Sequence, residues 1–558
     1  MKKNQLLLLS AAAVALTSCS GKLGTLPAEY FTVTPTPLET QSGQVPATIN
    51  GTFPEKYMKK NAVVTVIPQL RFQGQIVEGQ GATFQGESVL GNDQTISYKM
   101  GGRYDMKTSF PYQPEMQQSE MYLTFDARLG KKKVKIPDVK VAYGVIATSE
   151  LYKRTLAQAQ AALAPDAFQR IVEEEQEANI KFLIGQAQLR KSELQNNSVQ
   201  EFVRLLKEIA ADQEGRRLEN VEVTGFASPD GGITVNDRLA GNRRAVAQKY
   251  VEQQMKATAA HAPIDTKYTA EDWDGFQKLV AASNIQDKDV ILRVLSMYND
   301  PEEREAQIRS ISSAFRELAD GILPQLRRSR LIANYEIVGR SDDQIKDQLQ
   351  SDASKLSVEE ILYAGALYND NADKAKEAYT KATQLFPNDA RGFNNLARLA
   401  YEKGNYDEAR LWIEKALAVN SNLPEANANL GMLALLNGDT GKAEELIAKA
   451  SAANGLNEVL GNLHLAQGKY AQAEQDFNGV NSNSAGLAQL LNKNYQTAYN
   501  TLCRVKNADG MTEYLKAVVL ARTGNNARAA QALSKAIAKD PSLAKYAATD
   551  LEMVRIEK

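Results

Sequence analysis

The side chains that most often perform chemistry are scarce in this sequence of 558 residues. It has two histidines, His261 and His464, and two cysteines, Cys19 and Cys503, and the members of each pair lie far apart. None of them has metal-ligand spacing, and no Gly-Lys-Ser/Thr loop for phosphate is present. Serine–lysine and paired-carboxylate sites are not identifiable from residue counts, because such residues are plentiful. We therefore expect a binding protein with no metal, no cofactor and no catalytic residue, and an enzyme is a distant alternative.

Cys19 ends a segment that is typical of secretion. Lys2 and Lys3 precede an apolar run over residues 6–16, which is shorter than the about 20 residues of a membrane-spanning helix. The run ends in Leu-Thr-Ser-Cys, which resembles the lipobox of bacterial lipoproteins. The resemblance implies cleavage before Cys19, a diacylglyceryl thioether on its sulfur and an acyl chain such as palmitate on the new amino terminus. Two or more chains would anchor the protein stably to a membrane. The alternative is an ordinary signal peptide with an incidental cysteine.

The residues after the cysteine indicate a location. In the lipoprotein pattern, a residue other than aspartate after the cysteine favours the outer membrane, and here that residue is Ser20. Residues 20–24 also lack the acidic cluster of some surface-exported lipoproteins. We therefore expect an outer-membrane lipoprotein that faces the periplasm. Cys503 is left without a disulfide partner, and its apolar neighbours favour a small buried core residue.

A strand–turn–helix pattern over Val221–Tyr250 carries the second set of chemically meaningful residues. It has Gly225, a turn with Ser228 and Asp230, and then Asn236 and Arg243 on a helix. The pattern resembles the OmpA-like, peptidoglycan-binding family. The resemblance implies that an acidic turn residue and the helix arginine clamp diaminopimelate, since its ammonium needs a carboxylate and its carboxylate a guanidinium. The peptidoglycan-binding residues expected here are Ser228, Asp230, Asn236 and Arg243.

This chain departs from the family pattern at two points. Ser228 occupies the family's aspartate position, and Asp230 lies two residues further on. About 70 residues, 257–324, are inserted before the last strand, a combination similar to proteins of Bacteroidetes-type envelopes. Two hypotheses therefore stay open: the domain binds the wall, or the fold persists as a protein-interaction domain.

The last third of the chain has a repeated pattern. Four loop glycines, the first two 34 residues apart, are each followed five residues later by alanine. The glycines are Gly404, Gly438, Gly468 and Gly524, and the alanines are Ala409, Ala443, Ala473 and Ala529. The pattern resembles the tetratricopeptide repeat, in which two helices cross at small residues. About six helical hairpins are expected, with a degenerate fifth near Tyr495–Ala498.

Stacked hairpins form a concave groove that is lined by the first helix of each unit. In the second unit the groove positions are Arg391, Asn394, Arg398 and Tyr401. Such a face would hold an acidic or carboxylate-ended peptide of an envelope protein. The alternative is a solvated helix face.

These residues need several domains to position them. The sequence predicts a signal peptide at 1–18, a tether at 19–45, a β-sandwich domain at 46–148, a helical connector at 149–178, an α+β OmpA-like domain at 179–345, and an all-α repeat solenoid at 355–548. The formal net charge is −1, and basic runs such as Arg327–Arg330 are expected to be solvated, so no nucleic-acid partner is predicted.

Two functions fit this organisation. One is a wall-associated scaffold anchored at Cys19, with an OmpA-like domain on peptidoglycan and repeats that recruit a protein. The other is an assembly or secretion accessory factor of the outer membrane, in which both later domains bind proteins.

Overall fold

The computed structural model describes residues 23–554 apart from 286, 311–315 and 369, together with residue 556. The predicted signal peptide, 1–18, and the predicted lipidation site, Cys19, lie outside the described residues. The chain divides into two compact units, one made of residues up to Pro165 and from Ile361 onward, and one made of Asp166–Glu360. Within the described residues, no helix combines the length and the apolar character needed to cross a membrane.

The N-terminal region is rich in β-structure. Its strands are β1 (Phe31–Thr34), β2 (Leu38–Glu39), β3 (Gln44–Phe53), β4 (Ala62–Phe72), β5 (Gln75–Glu78), β6 (Ala82–Gly86), β7 (Gln94–Ile96), β8 (Gly102–Pro111), β9 (Glu120–Leu129), β10 (Lys132–Val134), β11 (Val139–Tyr143) and β12 (Val145–Ile146). A three-stranded sheet, β1-β3-β8, and a seven-stranded sheet centred on β4 and β9 enclose one core. Alternate side chains point inward, such as Val45 and Ile49 from one sheet and Val64 and Val66 from the other. The predicted tether is too long, because β1, β2 and the start of β3 lie within residues 19–45.

The predicted helical connector, 149–178, is wrong over most of its length. A 3₁₀ turn, Thr148–Leu151, leads into the short helix α1 (Tyr152–Leu156), and residues 159–169 have no helix. From Ile171 the chain is a strand. The main chain of residues 162 and 164 bonds to side chains of the repeats instead of to its own backbone.

The second unit, Asp166–Glu360, is an α+β domain. Its sheet has the order β13-β16-β14-β15, in which only β14 and β15 are parallel. The strands are β13 (Ile171–Lys181), β14 (Arg216–Phe226), β15 (Ile264–Thr269) and β16 (Arg328–Val338), and the helices outside the extra segment are α2 (Lys191–Leu194), α3 (Asn197–Ala211), α4 (Ile233–Thr258) and, after β16, α9 (Asp342–Asp352). Apolar side chains of α3 and α4, including Phe202 and Val251, pack on Val221 and Val223 of β14.

The extra segment of this unit begins later than predicted. Residues 264–269, which lie within the predicted insertion 257–324, form β15. This strand was not predicted because polar residues alternate along it. The segment proper consists of α5 (Trp273–Ala282), α6 (Lys288–Met297), α7 (Pro301–Ser310), the π-helical turn Leu318–Ile322 and α8 (Leu323–Leu326). These helices have a small core of their own that includes Phe276, Ile291 and Leu323.

Helical hairpins make up most of the chain from Val358 onward. The helices are α10 (Val358–Leu367), α11 (Ala372–Leu385), α12 (Ala390–Glu402), α13 (Tyr406–Val419), α14 (Pro424–Leu436), α15 (Thr440–Ile447), α16 (Leu456–Ala466), α17 (Tyr470–Asp476), α18 (Asn483–Leu491), α19 (Tyr495–Cys503), α20 (Gly510–Arg522), α21 (Asn526–Lys539), α22 (Leu543–Ala547) and α23 (Leu551–Val554). α10 to α21 give six hairpins, as predicted. Cys503 is exposed at the end of α19, so its predicted burial is wrong.

The loop glycines and crossing alanines behave as the pattern predicts. The four glycines have φ between +72° and +80°, a region that residues with a Cβ avoid. The four alanines that follow them are completely buried. In the fifth hairpin Lys493 takes the glycine position with φ +67°, five residues before the buried Ala498. The degenerate hairpin thus keeps the turn without its glycine.

The C-terminal helices contact the β-rich region within the same unit. Thr549 Oγ1 donates to Gln117 Oε1 at 2.6 Å, and Thr148 Oγ1 donates to Glu552 Oε1 at 3.0 Å. Arg522 Nη2 lies 2.5 Å from the same Glu552 oxygen. The buried Glu552 carboxylate therefore joins the last repeats to the end of the β-rich region.

Candidate functional site

The groove of the repeats is lined by buried amide side chains on the first helices of several hairpins. They are Asn394 and Asn395 on α12, Asn429 on α14 and Asn483 on α18. Each is less than about a tenth exposed. A buried amide favours partners for both its oxygen and its nitrogen, and for Asn394, Asn395 and Asn429 both are present in the groove.

Residues 155–165, here the alanine segment, fill this groove. The N–H of Ala162 donates to Asn429 Oδ1 at 2.6 Å, and Asn429 Nδ2 donates back to the Ala162 carbonyl at 2.9 Å. Asn395 holds Ala164 in the same two-sided manner, at 2.9 and 3.0 Å. Each asparagine therefore pairs with one residue of peptide main chain as a neighbouring β-strand would.

Asn394 links these two pairs. Its Nδ2 donates to the Ala162 carbonyl at 3.1 Å and to Asn395 Oδ1 at 3.2 Å. Its Oδ1 accepts from Asn429 Nδ2 at 3.0 Å. The three amides form one network, and none of them carries a formal charge.

The other end of the alanine segment is also held by groove residues. The Tyr401 hydroxyl donates to the carbonyl of Leu156 at 2.7 Å. Ser484 Oγ lies 3.0 Å from Thr155 Oγ1, and Asn483 Nδ2 donates to Gln158 Oε1 at 3.1 Å. The contacts thus extend from α12 to α18.

The groove accepts small side chains at four positions of the segment. Ala159, Ala161, Ala162 and Ala164 are 1–5% exposed, whereas Gln158 and Gln160 are exposed and Leu163 is partly exposed. Alanine lets the main chain approach the asparagines closely. The segment begins with turn hydrogen bonds up to Ala159, and at Ala162 and Ala164, two residues apart, it presents its main chain to the asparagines as an extended chain does.

The four predicted groove residues have their partners within the same unit. Asn394 and Tyr401 bind the alanine segment, and burial raises the pKa of the Tyr401 hydroxyl far above its usual value. Arg391 Nη2 pairs with Asp389 at 2.7 Å and its Nη1 donates to the Pro165 carbonyl at 3.3 Å. Arg398 pairs with Glu402 at 2.8 Å. Arg391, Asn394 and Tyr401 therefore bind a peptide that is the chain's own, whereas Arg398 pairs within its own helix.

Glu458 on α16, whose charge interacts with Tyr401, is a carboxyl group strongly affected by burial. Burial raises its pKa to about 7, against hydrogen bonds from Ser482 and Asn462 that lower it. At neutral pH this group is therefore protonated in a large fraction of molecules.

The turn after β14 in the other unit gathers charged side chains. Asp230 Oδ1 accepts a short hydrogen bond from Ser228, and its Oδ2 lies 2.9 Å from Arg327 Nη2. Arg327 Nε also donates to Ser228 Oγ at 3.2 Å. The carboxylate thus has an internal cation as its partner, and the predicted solvated run at 327–330 begins with an arginine that is 9% exposed.

Arg243 is almost completely buried beneath this turn, at 1% exposure. Its guanidinium donates to three carbonyl oxygens, those of Phe226 at 2.8 Å, Gln186 at 3.0 Å and Leu183 at 3.4 Å. Burial, and then the nearby Arg327 charge, lower its pKa to about 10. Its donors therefore position the turn.

The remaining predicted residue and the extra segment complete the turn. Asn236 Nδ2 donates to the Gly231 carbonyl at 2.7 Å. Arg309 of α7 donates to the Asp230 carbonyl at 2.7 Å, and a cavity of about 10 Å³ lies between Pro229 and the helices α5, α7 and α8. The structure thus brings Ser228, Asp230, Asn236 and Arg243 together, with Arg309 and Arg327 added.

Metal binding has no support in the described residues, where no three His, Cys, Asp or Glu side chains are grouped to hold an ion. His464 instead bonds to the Asp476 carboxylate through Nδ1.

The six hairpins are a helical-repeat region. The family model of the tetratricopeptide repeat matches residues 365–424. A search of curated proteins found no match. Repeats of this family bind proteins, so this part of the chain is a protein-interaction module.

Solved structures with similar chains include other repeat proteins. A tetratricopeptide repeat protein from Parabacteroides merdae is 17% identical over 39% of this chain and 91% of its own, with a TM-score of 0.28. PilF of Pseudomonas aeruginosa is 18% identical over 39% of this chain and 99% of its own, with a TM-score of 0.28. Yeast Tom70 is 12% identical over 65% of this chain and 84% of its own, with a TM-score of 0.25. TM-scores this low support no functional conclusion.

The sequence did not indicate Asn395 and Asn429, which bind the main chain of the alanine segment. Asn395 and Asn429 recur at the same 34-residue period as the loop glycines Gly404 and Gly438. That recurrence of a buried-type amide is the signal that could have identified them. The alanine segment gives no such signal, because alanine and glutamine favour helix.

Proposed function

We propose that this protein is a lipid-anchored scaffold of a bacterial outer membrane, facing the periplasm, that works by binding proteins. The observation that carries the proposal is the row of amides in the repeat groove, which recognise the main chain of an extended peptide. Recognition of a peptide by neutral groups and by shape is a binding function. Within the described residues, no three His, Cys, Asp or Glu side chains are grouped to hold a metal ion.

The lipobox-like sequence at Cys19 supports the anchor. We expect mass spectrometry of the mature N-terminus to find a modified cysteine at position 19, and the protein to fractionate with membranes. Cys19→Ser should release it into the aqueous fraction, whereas Cys503→Ser should not. An unmodified thiol at the mature N-terminus, with soluble protein, would contradict the anchor.

Cross-linking in intact cells tests the scaffold function. The anchored protein should capture the same envelope protein repeatedly, and the Cys19→Ser form should lose that partner because it no longer lies beside the membrane. Equal capture by both forms would separate protein binding from anchoring. Absence of any reproducible partner would contradict the scaffold.

Peptidoglycan binding by the turn of the α+β domain is a second candidate. It is favoured by the hydrogen-bonded pair Ser228 and Asp230 and by Arg243, whose charge interacts with that of Asp230, as the OmpA-like resemblance would require. A ligand ammonium at Asp230 would have to replace Arg327, whose guanidinium already neutralises the carboxylate.

Retention of the purified protein on peptidoglycan sacculi decides between the candidates. Asp230→Asn is a better test than Arg243→Ala, because Arg243 is buried and its loss would disturb the fold. Arg217→Gln, an exposed change in the same unit, is the control. Wall binding predicts that only Asp230→Asn lowers retention. Equal retention of all forms would count against a clamp at Asp230, and no retention of the wild type would favour the alternative, an assembly or secretion accessory factor whose OmpA-like domain binds protein.

A further inference from the structure

We infer that the alanine segment is a built-in ligand of the repeat groove, and that the groove is selective for peptides with small side chains at the positions of the four buried alanines, 159, 161, 162 and 164. The inference rests on the proposed protein-binding function of the repeats and names the ligand class of that site. It replaces the acidic or carboxylate-ended peptide expected from the sequence.

The contacts define how the groove selects its ligand. At Ala162 and Ala164 both the N–H and the carbonyl bond to asparagine amides. These residues are two apart, the spacing at which an extended chain presents its main chain to the same side. The asparagines are neutral, so a terminal carboxylate would gain no ion pair from them.

Side-chain size supplies the specificity. The main chain lies within hydrogen-bond distance of the buried amides, and the four buried alanines of the segment are at most 5% exposed. A longer side chain at Ala162 would force the peptide away from Asn429. The residue at position 160 of the segment is exposed, so the groove tolerates any side chain there, whereas Gln158 is exposed but bonds to Asn483 and Asp509.

Attachment within the chain keeps the groove closed. Leu151, Tyr152 and Leu156, just before and within the start of the segment, belong to the core of the repeats. A tethered ligand has an effective concentration of about millimolar or higher. A free peptide therefore competes poorly, and a partner gains access only when the segment is released.

Binding of a labelled synthetic peptide of residues 155–167 to the full-length protein tests this inference. Ala162→Arg together with Ala164→Arg should expel the segment, and the peptide should then bind at least about tenfold more tightly than it binds the wild type. Gln160→Arg is the matched control, because its side chain is exposed and the groove should stay closed. A peptide with arginine at the position of Ala162 should not bind.

Equal peptide binding by wild type and double variant would overturn the inference, as would no binding by a double variant whose repeats remain helical by circular dichroism. If the double variant does not fold, amide hydrogen exchange of the wild type decides. The Ala162 and Ala164 amides should exchange as slowly as those of α14, and fast exchange would overturn the inference. Peptide binding by the expelled form without any cross-linked partner in cells would retain this inference and end the scaffold proposal.

Discussion

The repeat groove and the turn after β14 both satisfy their polar groups from within their own unit, but by different chemistry. In the groove, neutral asparagines pair with main-chain groups of the alanine segment. In the turn, Asp230 pairs with Arg327 while Arg243 donates to three carbonyls. The groove therefore depends on shape and on matched amides, whereas the turn depends on the compensation of buried charge.

This difference determines what each site tolerates. Losing one neutral amide leaves one or two main-chain groups without partners, and small side chains can still pack nearby. Losing one member of a buried charged network leaves an uncompensated charge or several orphaned acceptors, which costs more. The two tryptophans, Trp273 in one unit and Trp412 in the other, allow each site to be followed separately when the other tryptophan is replaced by phenylalanine.

The largest expected effect is in the turn. Arg243→Ala should lower the free energy of unfolding of the α+β unit by about 3 kcal/mol or more, because three buried carbonyls lose their donor. Urea unfolding followed by Trp273 fluorescence measures it. Arg238→Ala, an exposed change on the same helix, should have almost no effect. A loss equal to that of the control would mean that the guanidinium does not hold the turn.

Asn429→Ala removes one of the groove amides that bind the alanine segment. The Ala162 N–H loses its acceptor while the Ala162 carbonyl keeps Asn394, so we expect a loss of about 2 kcal/mol for the repeat unit. Urea unfolding followed by Trp412 fluorescence measures this loss. Asn526→Ala, an exposed asparagine in the same unit, is the matched control. A loss larger than that of Arg243→Ala would reverse the ranking of the two sites.

Glu458→Gln tests whether the groove behaves as a neutral site. The folded protein holds a proton on Glu458 up to about pH 7, whereas the unfolded chain releases it near pH 4.5. The wild-type free energy of unfolding should therefore fall as pH rises between those values, by about 2–3 kcal/mol from this group. Unfolding at pH 5 and pH 8 should show a smaller fall for the variant. Asp550, whose pKa burial also raises, to about 6, is present in both forms. An unchanged pH dependence would show that Glu458 is charged in the fold.

The smallest effect concerns the hairpins that build the groove wall. Lys493→Gly should raise the melting temperature, because it relieves about 1 kcal/mol of left-handed backbone strain. Lys493→Ala keeps the Cβ and should give no such gain. Gly524→Ala, at φ +76° in the next hairpin, should have the opposite effect. A gain from both substitutions at position 493 would point to the lysine side chain instead of the backbone.

The repeats were predictable from the sequence because their determinants are local. The loop glycines fix a left-handed turn, and the alanines that follow set the distance between crossing helices. The strand–turn–helix around Arg243 was predictable for the same reason, and its residues do converge. Arg327 was missed because it reaches Asp230 from 97 residues away.

The conformation of the alanine segment could not be predicted because it depends on residues that are distant in the sequence. Its local preference is helical, and only Asn395 and Asn429, 231 and 267 residues further along, make the extended form favourable. The tether was overestimated likewise, since β1 is a strand only through pairing with β3. Where distant partners override local propensity, one sequence gives no warning of the outcome.

The hydrogen bonds that Thr549 donates to Gln117 and Thr148 donates to Glu552 join residues separated by 432 and 404 positions. A chain that emerges from its N-terminal end cannot make these bonds until nearly all of it has been synthesised and, for an exported protein, translocated. The packing of the β-rich region is therefore complete only after the final helices have been synthesised. In a nascent or C-terminally clipped chain, the surface of the β-rich region that the final helices cover would be exposed to proteases and chaperones. Quality control could therefore distinguish a complete molecule from an incomplete one.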